Sequence, residues 1–265
     1  MANVSGRDGE YVVEMEGITK TFGEVVALED VTLRLRRNEV LALAGDNGAG
    51  KSTLIKCLAG ALQPDSGTIR IDGDVVSIDT PRRAKDLGIE TTFQDLAVAG
   101  NLTVTQNIFL GREMVTGPNS LLGILDKKSM RKRARELLDD LEIDVDIDEK
   151  VENLSGGERQ LVSISRTLLS DPEIVIMDEP TSALSVEGAE RVLELIARMQ
   201  SQGISIILIS HNLDYVRRAA DRIHVLHQGH SAGVIDGDDA DQDDIVKRMV
   251  GGMPEEERNE RAADA

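Results

Sequence analysis

A glycine-rich segment has the residues needed to bind the phosphates of a nucleoside triphosphate. It matches the pattern G-x-x-x-x-G-K-[ST] and, with one further residue, consists of Gly45, Asp46, Asn47, Gly48, Ala49, Gly50, Lys51, Ser52 and Thr53. Glycines let backbone N–H groups wrap closely around phosphate oxygens. Lys51 suits the β- and γ-phosphates, and the Ser52 hydroxyl suits Mg²⁺. The segment therefore predicts a triphosphate site with a metal ion.

Two apolar runs elsewhere in the chain are followed by residues that could act on a phosphate. Asp178 and Glu179 follow the run 174–177, and His211 follows the run 204–209 and Ser210. Asp178 suits the outer shell of Mg²⁺, which keeps most of its waters, and Glu179 could polarise an attacking water. Both places also fit an ordinary solvated strand end, and a lone histidine is more often structural. The phosphate loop upstream favours the catalytic interpretation.

A third motif predicts an anion site that its own subunit does not need. The residues are Leu154, Ser155, Gly156, Gly157, Glu158, Arg159 and Gln160. Ser155 and Glu158 form the S-x-x-E pattern of a capping box at the start of a helix. The free N–H groups there could bind phosphate, but the phosphate loop already holds the chain's own nucleotide. A two-fold dimer would place the motif against the partner's nucleotide.

The order of elements predicts an α/β fold. The run 40–44 is typical of a buried parallel strand, and residues 52–60 have helical spacing that ends at Gly60. The runs 174–177 and 204–209 have the same apolar character. In parallel sheets the carboxyl ends of strands meet at one edge, where ligands bind. The phosphate loop, the acid pair and His211 should therefore lie together.

With these motifs in this order, residues 11–251 resemble the ATP-binding-cassette ATPase family. The resemblance also rests on Gln94 and on the loop Ser182-Ala183-Leu184-Ser185. It implies that Phe22 stacks on adenine, that Gln94 contacts Mg²⁺ or water, and that His211 holds the γ-phosphate. It further implies that three residues contact ATP across the dimer: Ser155, Gly156 and Gly157. The loop commonly ends in Asp in this family, and Ser185 replaces that carboxylate here.

The resemblance implies a P-loop NTPase core, with a RecA-like, mainly parallel sheet, an antiparallel β subdomain and an inserted α-helical subdomain that carries the signature. We predict one domain over residues 11–253, with the insertion at about 95–171. Residues 1–10 and 254–265 are predicted to be disordered. Within the insertion, Asp126 should cap a helix over residues 127–141.

Composition limits the cellular context. No apolar run is long enough to span a bilayer, and we see no signal peptide. Cys57 is the one cysteine, which excludes an internal disulfide and suits the cytoplasm. A net charge of −18 argues against nonspecific nucleic-acid binding. The acidity could reflect a salt-rich cytoplasm or ordinary acidic segments from a GC-rich genome, and we favour the first slightly.

The segment 91–113 is similar to its counterpart in importers of ribose, xylose and fructose. The resemblance implies a homodimeric ATPase on the cytoplasmic face of the membrane, bound to permease subunits and served indirectly by a sugar-binding protein. An exporter, another substrate or a soluble cassette ATPase is the alternative. Phe109 and Leu110 could form a docking groove for the permease or the core of the helical lobe. We interpret His224, His227 and His230 as structural.

Overall fold

The alternation of side chains along the strand that precedes the phosphate loop shows how the central sheet is buried. Strand β3 is Val40–Ala44, and all five of its residues are buried. Val40, Ala42 and Ala44 join the core on one face, whereas Leu41 and Leu43 join the core on the other. Successive side chains of a strand point to opposite faces, so a strand with apolar residues throughout must be covered on both. The computed structural model describes residues 10–92, 98–115 and 124–252.

Two sheets organise the described residues. The antiparallel sheet has the order β2-β1-β4-β5 and the larger sheet the order β10-β9-β3-β8-β7-β6. The strands of the first are β1 Tyr11–Phe22, β2 Val25–Arg36, β4 Ser66–Ile71 and β5 Asp74–Val76. The second adds β6 Ile89–Thr92, β7 Ile174–Asp178, β8 Ser205–Ile209, β9 Arg222–His227 and β10 His230–Asp236 to β3. Only β9 and β10 pair antiparallel in this sheet. The predicted fold class is confirmed.

Helices connect these strands and cover the larger sheet. They are α1 Lys51–Leu58, α2 Pro81–Asp86, α3 Val104–Ile108, α4 Lys127–Asp140, α5 Gly156–Thr167, α6 Val186–Ser201, α7 Leu213–Ala219 and α8 Gln242–Gly251. Asp126 caps α4 by accepting a hydrogen bond from the Ser129 N–H at 3.0 Å, as predicted. Helices α3 to α5 follow β6 and precede β7, so they occupy the predicted insertion. Its limits stay predictions, and residue 95 lies outside the described residues, as do residues 1–9 and 254–265.

A buried carboxylate ties the insertion to the sheet. Glu90 in β6 is 4% exposed. Its Oε1 accepts hydrogen bonds from the Arg112 guanidinium at 2.6 Å and the Ser170 hydroxyl at 2.8 Å, and Lys85 Nζ lies 3.3 Å from Oε2. A buried charge is tolerated only when it is paired and hydrogen-bonded. These contacts fix the helical lobe against the edge strand that leads to Gln94.

Of the two proposed docking residues of the insertion, Phe109 proves to be core, whereas Leu110 is half-buried. Ile108 is fully buried and Phe109 is 4% exposed. Both pack in one apolar cluster with the helices of the lobe, Val104 and Met130 included. Of the two alternatives for Phe109, the docking groove is therefore wrong and the lobe core is correct.

Candidate functional site

The predicted residues meet at the carboxyl edge of the larger sheet. Strand β8 lies between β3 and β7, with Leu43 and Asp178 both in register with Ile209. Gly45 follows β3 directly, Asp178 ends β7, and His211 stands two residues beyond β8. The phosphate loop, the acid pair and His211 are thus brought to neighbouring strand ends. Gln94 lies outside the described residues, two positions beyond β6.

The phosphate loop is held in a shape that its glycines permit. Gly45 has φ 152°, and a Cβ there would lie 2.5 Å from the Leu226 carbonyl oxygen. Gly50 has φ 103° and would meet the Ala27 carbonyl oxygen at 2.7 Å. Lys51 starts α1, and its Nζ donates to the carbonyl oxygens of Gly45 and Asp46 at 2.5 and 3.0 Å. The ammonium therefore lies over the loop, where a phosphate would also contact it.

Burial sets the electrostatics of the site. It lowers the pKa of Lys51, although Glu179, Asp46 and Asp178 oppose the shift. Burial and the nearby Glu179 raise the pKa of Asp178, and Lys51 opposes this. Desolvation disfavours each charged form, and the two adjacent acids repel each other. A bound cation near Asp178 would relieve that repulsion.

Glu179 and His211 face each other across the strand ends. Glu179 Oε2 lies 2.8 Å from His211 Nδ1, with the carboxylate side chain 14% exposed and the imidazole 74% exposed. Within the described residues, Oε2 accepts no well-oriented hydrogen bond. The two side chains are therefore close, but the contact does not have the geometry of a hydrogen bond. Glu179 also has φ 52°, a left-handed conformation that is uncommon for a side-chain-bearing residue. Such strain concentrates at functional sites.

The donor set fits Mg²⁺. Asp178 offers a carboxylate whose charged form is destabilised by burial, and Ser52 offers an exposed hydroxyl in the first turn of α1. Mg²⁺ commonly takes one or two carboxylates together with waters and substrate phosphates. Among residues 10–92, 98–115 and 124–252, no group of three or more His, Cys, Asp or Glu side chains could hold a metal. The phosphates would thus supply part of the coordination.

The signature motif forms the capping box that the sequence predicts. Ser155 Oγ accepts from the Glu158 N–H at 3.2 Å, and Glu158 accepts from the Ser155 N–H at 2.8 Å. Ser155 is exposed, whereas Gly157 is buried against α6. A Cβ on Gly157 would lie 2.9 Å from the Gly188 Cα. Gly157 is therefore required for the packing of α5 on α6, and it could reach a nucleotide only through its backbone.

The residue that departs from the family pattern has a local role. Ser185 caps α6, because its hydroxyl accepts a hydrogen bond from the Gly188 N–H at 3.2 Å. Aspartate and serine are both strong N-cap residues. The replacement therefore keeps the cap while removing one negative charge from an exposed loop position.

Phe22 ends β1 at the tip of a hairpin, opposite Val25, and is 48% exposed. Lys20 Nζ lies 5.7 Å from the centroid of its ring, and Asp65 binds that ammonium at 2.7 Å. Sequence analysis missed both neighbours. Lys20 is an ordinary charged residue of an edge hairpin, and Asp65 lies far along the chain, so no short pattern connects them.

Each of the remaining histidines has a neighbour outside the predicted catalytic set. His224 is buried, and its Nε2 lies 2.9 Å from the Ser231 hydroxyl oxygen. His227 Nδ1 lies 2.6 Å from the Met249 carbonyl oxygen, which links β9 to α8. His230 is at the surface, 3.5 Å from Glu29.

Known proteins identify the class to which this fold and site belong. Residues 28–182 match the profile of the ABC transporter family, and the chain belongs to that family. It is an ATP-binding-cassette ATPase. Among the described residues, no helix is both long and apolar enough to cross a membrane.

Curated relatives cover most of the chain. A xylose/arabinose import ATP-binding protein of Sulfolobus acidocaldarius is 44% identical over 82% of this chain and 85% of its own length. A fructose import ATP-binding protein of Rhizobium meliloti is 41% identical over 91% and 95%. A ribose import ATP-binding protein of Roseobacter denitrificans is 45% identical over 91% of this chain but 46% of its own length. The chain thus spans about half of that ribose relative.

Solved structures share the fold. An ATP-binding cassette of an ABC transporter in its ADP conformation is 26% identical, with a TM-score of 0.75 over 91% of this chain and 95% of its own. A dimeric ATP-binding cassette in a post-hydrolysis state bound to ADP and Pi is 26% identical, with a TM-score of 0.67 over 84% and 98%.

Proposed function

We propose that two copies of this chain hydrolyse ATP at the cytoplasmic face of the membrane and power the uptake of a simple sugar through a separate permease. The observation that carries the proposal is the set of relatives, which are 41% to 45% identical and carry xylose/arabinose, fructose or ribose import in their names. Relatives named for different sugars are about equally similar to this chain. The proposal therefore extends to monosaccharides as a class. A sugar-binding protein would deliver the substrate to the permease.

ATP would bind along the carboxyl edge of the larger sheet. Phe22 would stack on adenine, and the segment from Gly45 to Thr53 would surround the phosphates, with Lys51 on the β- and γ-phosphates. Loop N–H groups and the N-terminus of α1 favour negative charge there. The partial burial of Lys51 supports this role, because a desolvated ammonium gains more from a phosphate than an exposed one.

Ser52 and Asp178 would hold Mg²⁺, with Gln94 as a further contact. The ion would neutralise charge on the β- and γ-phosphate oxygens. Glu179 would accept a hydrogen bond from the attacking water and draw its proton as the oxygen approaches phosphorus. His211 would donate a hydrogen bond to the γ-phosphate. The unused lone pairs of Glu179 Oε2 beside His211 support this assignment.

A second copy would complete each site. Ser155 is exposed at the start of α5, where N–H groups beyond the capping box remain available to an anion. In a two-fold dimer, Ser155, Gly156 and the Gly157 backbone would contact the nucleotide of the partner. Closure on ATP would bring the two helical lobes together, and the bound permease would follow.

Because Phe109 is buried, we assign the contact with the permease to an exposed apolar ribbon instead. The ribbon consists of Met114, Val115, Ile124 and Leu125, which are 39%, 49%, 61% and 43% exposed. Val115 and Leu125 form an antiparallel bridge, and the Asp126 N–H donates to the Met114 carbonyl oxygen at 2.8 Å, so the four lie together. Grouped exposed apolar side chains on a chain of net charge −18 favour a protein partner.

The ribbon can be tested separately from catalysis. Val115→Glu should abolish sugar uptake and co-purification with the permease, while the ATPase activity of the isolated chain stays within about twofold. Val75→Glu is the matched control, because Val75 is 68% exposed on the antiparallel sheet, outside the lobe. Normal uptake with Val115→Glu, or an equal defect with Val75→Glu, would contradict the assignment.

The proposal that the transported substrate is a sugar can be tested by uptake measurements. Deleting the gene should abolish the uptake of one labelled pentose or hexose at low concentration and leave other carbon sources unaffected. The wild-type gene should restore uptake, and Glu179→Gln should not. A deletion strain that imports every sugar normally but is sensitive to a toxic compound would make the chain part of an exporter.

A further inference from the structure

A lysine lies against the face of the proposed adenine-stacking ring. Lys20 Nζ is 5.7 Å from the centroid of the Phe22 ring. The Lys20 side chain is 15% exposed, so its position is defined by its surroundings. A cation within about 6 Å of an aromatic face is attracted by the ring quadrupole. Lys20 therefore restrains one face of a ring that is otherwise 48% exposed.

A carboxylate fixes this lysine and the residue beside it. Asp65 Oδ1 accepts a hydrogen bond from Lys20 Nζ at 2.7 Å. Its Oδ2 accepts from the Thr21 N–H and the Thr21 hydroxyl, each at 2.7 Å. The two oxygens of Asp65 thus hold Lys20 and Thr21, the two residues that precede Phe22.

The Asp65 carboxylate stays ionised at physiological pH. Hydrogen bonds from Lys20 and then from Thr21 lower its pKa to about 2. The hydrogen bonds from Lys20 and Thr21 to this carboxylate therefore do not act as a pH switch.

The backbone around Asp65 connects the strand of Phe22 to the helix that follows the phosphate loop. Asp65 lies in the segment that joins α1 to β4, and its N–H donates to the Thr19 carbonyl oxygen at 2.8 Å. Upstream in that segment, the Leu62 N–H donates to the Lys56 carbonyl oxygen of α1 at 3.0 Å. Since α1 begins at Lys51, a short hydrogen-bonded path runs from the helix at the phosphates to the strand that carries the ring.

We propose that Asp65 and Lys20 are positioning residues that hold Phe22 for the adenine base, with Lys20 on one ring face and the base on the other. This inference rests on the proposed ATP site. A ring that is already ordered loses less side-chain entropy when the base stacks on it. The pair should therefore strengthen the binding of adenine and leave the binding of the triphosphate unchanged.

The test compares ATP with inorganic tripolyphosphate, which has no base. Calorimetry on the full chain should give a Kd for ATP that rises about threefold to fivefold in Lys20→Met, with a parallel rise in KM. The Kd for tripolyphosphate and kcat at saturating ATP should not change. Lys20→Arg, which keeps the cation, should restore most of the affinity, and Asp65→Asn should resemble Lys20→Met.

Two further variants separate the inference from its alternatives. Lys132→Met is the matched control, because Lys132 lies on α4 and its side chain is 78% exposed. In a Phe22→Leu background, which itself should weaken ATP binding, Lys20→Met should have no further effect. An equal loss for ATP and tripolyphosphate, or an undiminished effect in Phe22→Leu, would overturn the inference. Failure of the wild-type chain to bind ATP would instead overturn the proposed function.

Discussion

The Nδ1 atom of His211 lies 2.8 Å from the Oε2 atom of Glu179, at the ends of neighbouring strands. The carboxylate is largely buried and the imidazole is largely exposed, so the pair spans the boundary between the sheet and solvent. Oε2 accepts no well-oriented hydrogen bond from any described residue. The arrangement leaves the carboxylate able to accept a proton from a water and the imidazole able to reach a phosphate.

His211→Ala should lower kcat about 10²-fold, because a positioned proton-transfer or charge-stabilising group contributes on that scale. The Kd for ATP should change little, since the phosphate loop supplies most of the binding. Steady-state hydrolysis and calorimetry measure the two effects. His230→Ala, at a surface histidine of the β9–β10 hairpin, should leave both unchanged. Loss of ATP binding in His211→Ala would contradict this prediction, because it would show that the imidazole contributes to the binding of ATP itself.

The shared site predicts rescue between two inactive variants. Lys51→Ala removes the phosphate-loop ammonium, and Ser155→Arg fills the surface that faces the partner's nucleotide. Each protein alone should be nearly inactive, because every site in its dimer is damaged. A mixture should form heterodimers with one intact site and recover part of the activity, measured as phosphate release. Full activity of isolated Ser155→Arg would contradict a site shared between subunits.

Asp178→Asn should stabilise the metal-free protein. The pKa of Asp178 is raised by burial and by Glu179, so its ionised form is disfavoured in the folded state. This cost is absent below the ordinary pKa of aspartate, grows as the pH rises from there to the raised value, and is fully present above it. Thermal melts in chelator at pH 7 should therefore show a higher Tm by a few degrees, a difference that vanishes near pH ~3.

Asp74→Asn is the matched control for that substitution, because Asp74 is exposed at the start of β5. Its melting temperature should equal that of the wild type at both pH values. The stabilisation that Mg²⁺ and ATP give the wild type should be lost in Asp178→Asn. A Tm at or below the wild-type value at pH 7 would contradict the electrostatic account of this strand end.

The acidic excess predicts a response to salt. If it is an adaptation to a salt-rich cytoplasm, repulsion should destabilise the chain at low ionic strength. The Debye length falls from ~10 Å in ~0.1 M KCl to below ~3 Å in ~2 M KCl, so Tm should rise between these conditions. An equal or lower Tm in ~2 M KCl would favour a compositional origin in a GC-rich genome.

Much of the fold follows from local signals. Strand β3 has the predicted bounds because five consecutive apolar residues between turns specify a buried strand. Helices α4 and α5 begin where Asp126 and Ser155 can cap them, which depends only on neighbouring residues. The meeting of the phosphate loop, Asp178 and His211 follows from the parallel arrangement of their strands.

The rest depends on contacts that no local pattern carries. Three apolar residues, 108–110, can face a partner or a core, and only the packing of the lobe decides that Phe109 is buried. Lys20 and Asp65 are 45 positions apart and meet because β1 pairs with β4. The left-handed backbone of Glu179 likewise comes from the tertiary surroundings of the turn after β7.

The hydrolysis rate of Glu179→Gln tests the central claim most directly. The amide keeps the size of the side chain but cannot accept the proton of the attacking water. ATP binding should be retained while turnover falls by about 10²-fold or more, because general-base catalysis contributes 10²- to 10⁴-fold. The variant should also elute from gel filtration as an ATP-bound dimer. Near-normal turnover would contradict the assignment of Glu179 and the mechanism built on it.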